Sequence, residues 1–281
     1  MNAWPTGDSP DYGTTADDPA VGGDIRPFLT VDLAKIAKAG IPAPTLLFNS
    51  LLYRGMLHSL AGPPDCGKTT IAYRAALERL AMDERVVVLD EEGGREVVTE
   101  KFLALGAEPA HLERLDYVEF PGRSWDEADR AGLGELLGRV QPTLVIVDSA
   151  GAFLGAAGQD ENWAAHVTAF YKLLLAAARD HNAAVVVLDH VPKSEHTGRY
   201  ARGSGAKLQV ADVALMVDAI RPFNRHQSGL LKLAVTKDRR GYLHRDSRSG
   251  WTSRTAGWRS PSSGSRPRRA TQSWLACHRP R

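Results

Sequence analysis

The sequence contains few cysteines and no membrane-length apolar run, and both absences narrow the class of protein. Its 281 residues include two cysteines, Cys66 and Cys277, too few for a disulfide framework. No apolar stretch approaches the roughly 18 residues that a membrane span requires, and the N-terminus lacks the basic and apolar regions of a signal peptide. We therefore expect a cytoplasmic protein without a membrane partner.

The N-terminal end of the chain has no basic residue, and the C-terminal end has almost no acidic one. Residues 1–24 contain five Asp but neither Lys nor Arg, whereas residues 245–281 contain nine Arg, no Lys and one acid, Asp246. Both ends are poor in the aliphatic residues that form a core. We predict an acidic disordered leader over residues 1–28, one folded domain over 29–245 and a basic disordered tail over 246–281. A shifted reading frame and a nucleic-acid-binding tail remain alternatives for the last segment.

Short apolar runs alternate with helical patterns between these ends. The runs are nearly unbroken, as in strands that are buried on both faces of a parallel sheet. Strands are predicted at Met56–Ala61, Val86–Asp90, Tyr117–Phe120, Thr143–Asp148, Ala184–Asp189, Val213–Val217 and Leu230–Thr236. Helices are predicted at Thr30–Gly40, Lys68–Met82 and Arg95–Leu105, after a capping box at Ser124–Glu127, and from an Asp160 cap to about His181. The alternation predicts an α/β fold with a mostly parallel, doubly wound sheet flanked by helices.

The strongest motif is a glycine loop between the first predicted strand and the helix after it. Gly62-Pro63-Pro64-Asp65-Cys66-Gly67-Lys68-Thr69 matches G-x-x-x-x-G-K-[ST]. In such loops successive backbone N–H groups and a helix N-terminus surround phosphate groups. Lys68 would reach the β- and γ-phosphates and Thr69 would ligate Mg²⁺, and we include Thr70 among the nucleotide-binding residues. The motif predicts that ATP and Mg²⁺ are bound.

Two residues inside this loop are unusual. Asp65 places a negative charge close to phosphate, which is repulsive, although the loop binds through its backbone and the side chain can point away. Cys66 is either a small buried filler or an oxidisable thiol. We interpret Cys66 as a filler and expect Asp65 to weaken nucleotide affinity.

Polar side chains follow three of the predicted strands. Asp148 ends a strongly apolar strand and is the natural acid for holding Mg²⁺ through its water shell. Asp90, Glu91 and Glu92 follow another strand, and one acid there suffices to polarise the attacking water. His190 follows a third strand, where a polar group can contact the γ-phosphate. A turn-forming Asp, a solvated acidic turn and a structural histidine are the alternative interpretations.

Together these segments resemble the RecA-like hexameric ATPases. Within that group they are most similar to the plasmid RepA-type and DnaB-type replicative helicases, including AAA-named ATPases of phages and mobile elements. The resemblance covers roughly residues 45–245 and rests on five stretches in order: GPPDCGKTT, VVVLDEEGG, TLVIVDSAGAF, LDHVPKSEHTGRYARGSGAKLQVADVALMV and LAVTKDRRGYLH. DnaB-type proteins carry a sizeable N-terminal domain, whereas about 50 residues precede the core in this sequence, so we expect the shorter RepA type.

The resemblance implies a RecA-like P-loop core with assigned roles. Glu92 would be the catalytic glutamate and His190 the γ-phosphate sensor. Lys237 and Arg239 fall where family members carry cations that reach the γ-phosphate bound by the neighbouring subunit. Such a cation accelerates phosphoryl transfer by about 10³-fold or more and makes hydrolysis depend on assembly, so a homo-hexamer is implied. A surface basic cluster is the alternative for this pair.

The same resemblance implies that single-stranded DNA is a partner. The segment Pro192–Lys207 is polar, glycine-containing and basic, and in a ring such loops line the channel and follow the phosphates of one strand. The predicted DNA-contacting residues are Arg199, Arg202, Gly203 and Lys207. An ordinary surface loop is the alternative.

Three hypotheses for function follow from these residues. The first is an oligomeric ATP-driven helicase or translocase that acts in replication of a plasmid, phage or mobile element. The second is a recombination or repair ATPase of the RecA/RadA type, which would form filaments rather than rings. The third is a nucleotide-dependent switch without motor activity, for which Asp65 and the unpatterned tail are the motivation.

Overall fold

The computed structural model describes residues 31–190, 204–221, 229–243, 251–252 and 275–277. The predicted acidic leader and most of the predicted basic tail lie outside these residues. The chain divides into two compact units, Met1–Ala43 and Pro44–Arg281. Among the described residues, no helix combines the length and the apolar character that crossing a bilayer requires.

The first unit contains one described helix, α1 (Leu33–Ala39). It begins after Asp32, whose carboxylate accepts a hydrogen bond from the Lys35 N–H at 3.0 Å, as an N-cap residue does. It ends at Gly40, where φ is +82° and a residue with a Cβ would be strained. The helix predicted over residues 30–40 is confirmed, with a later start.

The second unit is built of alternating strands and helices. The strands are β1 (Leu46–Leu47), β2 (Leu52–Tyr53), β3 (Leu57–Gly62), β4 (Val86–Asp90), β5 (Leu115–Glu119), β6 (Leu144–Asp148), β7 (Ala184–His190), β8 (Val213–Arg221), β9 (Gly229–Asp238), β10 (Trp251–Thr252) and β11 (Leu275–Cys277). The helices are α2 (Lys68–Leu80), α3 (Arg95–Ala104), α4 (Pro109–Leu112), α5 (Glu127–Val140), α6 (Ala150–Ala156), α7 (Ala164–Asp180) and α8 (Ser204–Val210).

Nine of the described strands form one sheet, in the order β10-β11-β9-β8-β3-β7-β6-β4-β5. All pairs from β8 to β5 are parallel, whereas β9 runs antiparallel to β8 and to β11. The strands β1 and β2 form a separate antiparallel pair. The predicted α/β class and mostly parallel sheet are therefore confirmed.

The central strands are apolar throughout because helices cover both faces of the sheet. Every residue of β4 and β6 is buried, and burying one such aliphatic side chain contributes about 2 kcal/mol. On one face the core includes Tyr73 of α2 stacked on Phe102 of α3, with 4.7 Å between ring centroids. On the other face, Phe153 of α6 and Phe170 of α7 pack together.

Parallel pairing brings the polar strand ends to one edge of the sheet. Gly62, the last residue of β3, lies opposite His190, the last residue of β7. Asp90 at the end of β4 lies opposite Asp148 at the end of β6. The carboxyl edge of a parallel sheet is where α/β proteins bind ligands, and the motifs of the sequence converge there.

Two predicted helix starts are wrong, and both errors come from local hydrogen bonding. The N-cap of α5 is Asp126 rather than Ser124, because the Asp126 carboxylate accepts the Asp129 N–H at 3.0 Å. Asp160 accepts the Asn162 N–H within a turn, and α7 begins after Trp163. The short helices α4, α6 and α8 and the β1–β2 pair were not predicted, because their few residues carry too little periodicity.

A buried histidine fixes the start of β3. His58 is fully buried; its Nε2 accepts the Tyr53 N–H at 2.9 Å and its Nδ1–H donates to the Val185 carbonyl at 3.1 Å. Both ring nitrogens are therefore used by the neutral imidazole. Burial lowers the pKa of His58 to about 4, because an imidazolium would lose its hydration there.

The free energy of unfolding should therefore fall as the pH falls from about 6.5 to about 4. In that window the unfolded chain binds a proton at His58 that the folded chain does not, and the full effect is about 3 kcal/mol. Denaturant titrations at several pH values will measure it. In His58→Gln, whose amide offers one donor and one acceptor, this part of the slope should disappear. An equal slope in both proteins would contradict the assignment.

Candidate functional site

The glycine loop connects β3 to α2 in a conformation that its glycines permit. At Gly62 an added Cβ would lie 2.4 Å from the Val217 carbonyl oxygen and 2.7 Å from the Cys66 sulfur, so no larger residue fits. Gly67 has a φ of +95° and precedes the first residue of α2. The first amides of this 13-residue helix have no carbonyl partner within the helix and point out of its end. This end carries the partial positive charge that attracts phosphate.

Lys68 is folded back onto the loop. Its ammonium donates to the carbonyl oxygens of Gly62 at 3.0 Å and Pro63 at 2.9 Å, and the residue is 5% exposed. Phosphate oxygens form stronger, charge-assisted hydrogen bonds with an ammonium than neutral carbonyls do. A polyphosphate in the loop can therefore compete for Lys68.

The two unusual loop residues differ in their surroundings. Asp65 is exposed and has a φ of +58°, a left-handed conformation that Asp tolerates better than most residues with a Cβ. Cys66 is buried against the loop, and burial raises the pKa of its thiol. Cys66 is thus held as a neutral thiol, which agrees with its interpretation as a small filler.

Thr69 and Asp148 form a pair of oxygen ligands. The Thr69 hydroxyl donates to Asp148 Oδ2 at 3.2 Å. Burial, followed by the negative charge of Glu92, raises the pKa of Asp148 to about 6. A divalent cation would relieve this crowding of negative charge. Hydroxyl and carboxylate oxygens also suit Mg²⁺, which takes few protein ligands and fills its other positions with water and phosphate. The two residues fit Mg²⁺.

The structure assigns different contacts to the three consecutive acids. Asp90 is fully buried; its carboxylate accepts the N–H groups of the next turn, including that of Gly94 at 2.9 Å, and the Tyr117 hydroxyl at 2.7 Å. Glu91 accepts the Gly122 N–H at 2.7 Å. Glu92 alone of the three lines the cleft beside the glycine loop. Asp90 therefore shapes the turn that presents Glu92.

His190 bridges the loop lysine and this glutamate. Its Nδ1 lies 3.4 Å from Lys68 Nζ, and its Nε2 lies 3.4 Å from Glu92 Oε1. An imidazole that accepts at Nδ1 and donates at Nε2 satisfies both neighbours. The bond from His190, with another from the Ser149 hydroxyl, lowers the pKa of the Glu92 carboxyl. Glu92 is therefore held as a carboxylate.

These residues line one cleft of about 350 Å³ at the carboxyl edge of the sheet. The lining residues are Asp65, Gly67, Lys68, Thr69, Thr70, Glu92, Lys101, Asp148 and His190. Among them Lys101 was not predicted from the sequence, because it lies on α3, a helix without a motif. Its charge favours the ionised form of Asp148, but no pattern in the sequence connects the two.

Lys237 and Arg239 do not join the cleft. The Arg239 N–H bonds to the Asp212 carbonyl, whose own N–H bonds to the Leu57 carbonyl. Arg239 is thus level with the first residue of β3, and the length of that strand, about 16 Å, separates it from the glycine loop. Lys237 donates to the carbonyls of Leu208 and Ala211 at the end of α8. The two cations are at the opposite edge of the sheet from their own loop.

The predicted DNA-contacting residues are divided. Arg199, Arg202 and Gly203 lie outside the described residues. Lys207 is described and is buried: its ammonium bonds to Asp189 Oδ1 at 2.8 Å, and both side chains are 4% exposed. A buried ammonium with its charge paired does not reach a phosphate in solvent, so the prediction that Lys207 contacts DNA is not compatible with this position.

Comparison with known families agrees with this geometry. The AAA_25 family model, described as an AAA domain, matches residues 25–196, which is more than half of the chain. The chain belongs to this family of P-loop ATPases. Nucleotide binding, usually with Mg²⁺, follows from the family, and the prediction of a P-loop ATPase is confirmed. The match ends before α8 and β9. Comparison with curated proteins gave no match.

In this ATPase, replacing Asp65 with glycine should tighten ATP binding. The change removes a negative charge beside the phosphates and supplies the residue that best adopts a φ of +58°. We expect the Kd for ATP to fall about fivefold, since one repulsive charge contact in water is worth about 1 kcal/mol. Fluorescence titration with an ATP analogue measures it. Asp65→Asn should retain most of the gain, because it removes only the charge. Unchanged Kd values in both variants would contradict this account.

Replacing Glu92 with glutamine should separate binding from hydrolysis. Glutamine keeps the shape of the side chain but cannot accept a proton from water, so kcat should fall by about 10²- to 10⁴-fold while ATP binding changes little. Steady-state phosphate release and equilibrium ATP binding measure the two effects. Glu91→Gln is the matched control, since the Glu91 side chain accepts the Gly122 N–H and does not line the cleft, and it should retain activity. Similar losses in both variants would show that the turn, and not Glu92, is responsible.

Proposed function

We propose that this ATPase is an oligomeric, ATP-driven motor that acts on single-stranded DNA, of the RepA type of replicative helicase. One observation carries the catalytic part: Lys68, Thr69, Asp148, Glu92 and His190 line a single cleft at the carboxyl edge of the sheet. They come from four parts of the fold, namely the start of α2, the turn after β4, the end of β6 and the end of β7, and each has the chemistry that one step of ATP hydrolysis needs.

Some residues of the cleft bind the nucleotide and the metal ion, and others take part in proton transfer. The loop amides and Lys68 hold the phosphates, and Thr69 and Asp148 hold Mg²⁺. The metal ion, when bound, neutralises charge on the phosphate oxygens. Glu92 is held as a carboxylate by His190 and Ser149, so it can orient a water molecule and accept its proton. His190, between Lys68 and Glu92, is placed to respond to the γ-phosphate.

A shared active site is proposed for Lys237 and Arg239. Both lie at the far edge of the sheet from their own loop, and Arg239 is about half exposed. A cation in that position cannot serve the loop of its own subunit, but it can enter the cleft of a neighbour in a ring. The resemblance to hexameric ATPases supports the same assignment, so we propose a homo-hexamer.

The proposal that the protein acts on DNA is supported by the position in the chain and the charge of residues 191–203. The segment 191–203 connects His190, at the end of β7, to α8, so it begins directly at the nucleotide cleft. Its basic residues include Arg199 and Arg202, which suit the phosphates of a single strand. The resemblance to RepA-type proteins adds the context, which is replication of a plasmid, phage or mobile element.

A switch without motor activity is the second candidate. Lys68, His190 and Glu92 form a chain of hydrogen bonds within the protein, and Asp65 adds a repulsive charge. A protein that binds ATP and changes this network without turnover would act as a switch. Tight ATP binding without phosphate release, insensitive to Glu92→Gln, distinguishes it from the motor.

The motor proposal predicts that the ATPase rate per subunit rises with protein concentration and rises further with single-stranded DNA. The first effect follows because an isolated subunit lacks the cation that a neighbour supplies, an effect worth about 10³-fold or more, and the second because bound DNA would favour the assembled ring. Phosphate release across a dilution series, with and without an oligonucleotide, measures both. Rings in electron micrographs support the helicase type, whereas filaments would support a recombination ATPase.

Mixing two inactive variants provides the control. Lys68→Ala removes the loop cation but keeps Arg239, whereas Arg239→Ala keeps the loop. Mixed rings contain some interfaces with both groups intact, so the mixture should recover activity that neither variant has alone. A concentration-independent, DNA-independent rate from a monomer would refute the oligomeric motor.

A further inference from the structure

A buried ion pair lies directly behind the histidine of the nucleotide cleft. Lys207 Nζ donates to Asp189 Oδ1 at 2.8 Å, and the side chains of both residues are 4% exposed. The same Asp189 oxygen accepts the backbone N–H of His190 at 2.9 Å. One carboxylate oxygen therefore joins the histidine backbone to a lysine of another element.

This pair connects β7 to helix α8. Asp189 is the last buried residue of β7, and Lys207 lies in the middle of α8. Val210, the last residue of α8, and Ala211, which follows it, are buried in the core. The pair thus sets the distance between the end of β7 and α8.

The C-terminal end of α8 is bonded to Lys237 and Arg239. Lys237 donates to the carbonyls of Leu208 and Ala211, and Arg239 donates to the Gln209 carbonyl at 3.1 Å. Helix α8 is therefore bonded on one side to the strand end that carries His190 and on the other to Lys237 and Arg239. A shift of α8 would therefore move both the end of β7 and the side chains of Lys237 and Arg239.

Stability alone does not explain a buried charged pair. Moving both charges out of water is unfavourable, and well-packed apolar side chains of similar volume often stabilise a fold equally well or better. The two charges fix the relative orientation of their side chains, because an ammonium–carboxylate bond holds both groups in one geometry. Since the Asp189 carboxylate also accepts the His190 N–H, the orientation of the His190 backbone is fixed with it.

We propose that Asp189 and Lys207 are a positioning pair that holds His190 between Lys68 and Glu92 and transmits the position of α8 to the nucleotide cleft. The inference rests on the proposed role of this cleft in ATP hydrolysis. Neither residue touches the nucleotide; both act through His190. Lys207 is thereby given a role inside the subunit in place of DNA contact.

The test is the double variant Asp189→Asn/Lys207→Met, which removes both charges and leaves no buried charge unpaired. The kcat should fall about tenfold or more, since a displacement of about 1 Å at a reacting group can cost about 10²-fold. The KM for ATP should change much less, because the loop does not depend on the pair. The histidine side-chain NMR signals of His190, in protein labelled at histidine, should shift even without nucleotide.

Two comparisons separate positioning from general destabilisation. In a His190→Ala background the double variant should cause no further loss of kcat, whereas independent effects would multiply. Arg79→Met removes a buried arginine that pairs with the partly exposed Glu78 and Glu84 at the end of α2, far from the loop, and should lower the melting temperature without lowering kcat. If the double variant does not fold, Asp189→Asn/Lys207→Gln, which also leaves no buried charge and can keep a neutral hydrogen bond, should show the same changes to a smaller extent.

Wild-type kcat and unshifted His190 signals in the double variant would overturn the inference, as would losses that multiply with His190→Ala. Failure of the proposed function looks different: the wild-type protein itself would show no ATP turnover. In that case the NMR comparison still decides whether the pair positions His190, because it needs no activity.

Discussion

The register of four parallel strands is the constraint on which this site depends. It places Gly62 opposite His190 and Asp90 opposite Asp148, so the glycine loop, the acidic turn, Asp148 and His190 lie at neighbouring points of one edge. A shift of one strand by a single residue would turn its side chains to the other face and separate these groups. Burial of β4 and β6 on both faces makes such a shift very unfavourable.

The lysine and the glutamate of the cleft both have partners within the protein. Lys68 is held by two carbonyls and His190, and Glu92 by His190 and Ser149. Asp148 is less well compensated, and its pKa is raised to about 6. His190 contacts both Lys68 and Glu92, so a change in the position of Lys68 would alter the contacts of Glu92.

The fold class and most strands could be predicted because buried parallel strands are apolar throughout and need no knowledge of their neighbours. The contacts that distinguish Asp90, Glu91 and Glu92 could not be predicted from the sequence. Three adjacent acids are equivalent candidates until the turn after β4 is formed. The role of Asp160 could not be predicted for the same reason. A capping residue accepts whichever N–H lies nearest in the folded turn, and here that is the N–H of Asn162. Lys207 looked like part of a basic loop, and only the position of α8 shows that it is buried.

The sequence by itself determined that this chain binds phosphate, because the spacing of glycines, lysine and threonine in residues 62–69 encodes a backbone conformation that is local. It also determined the alternation of strands and helices. Only the tertiary structure decided which acid faces the cleft, that His190 joins Lys68 to Glu92, and that Lys237 and Arg239 lie away from their own loop. These facts depend on which strands are neighbours, and strand order arises from contacts between residues far apart in the chain.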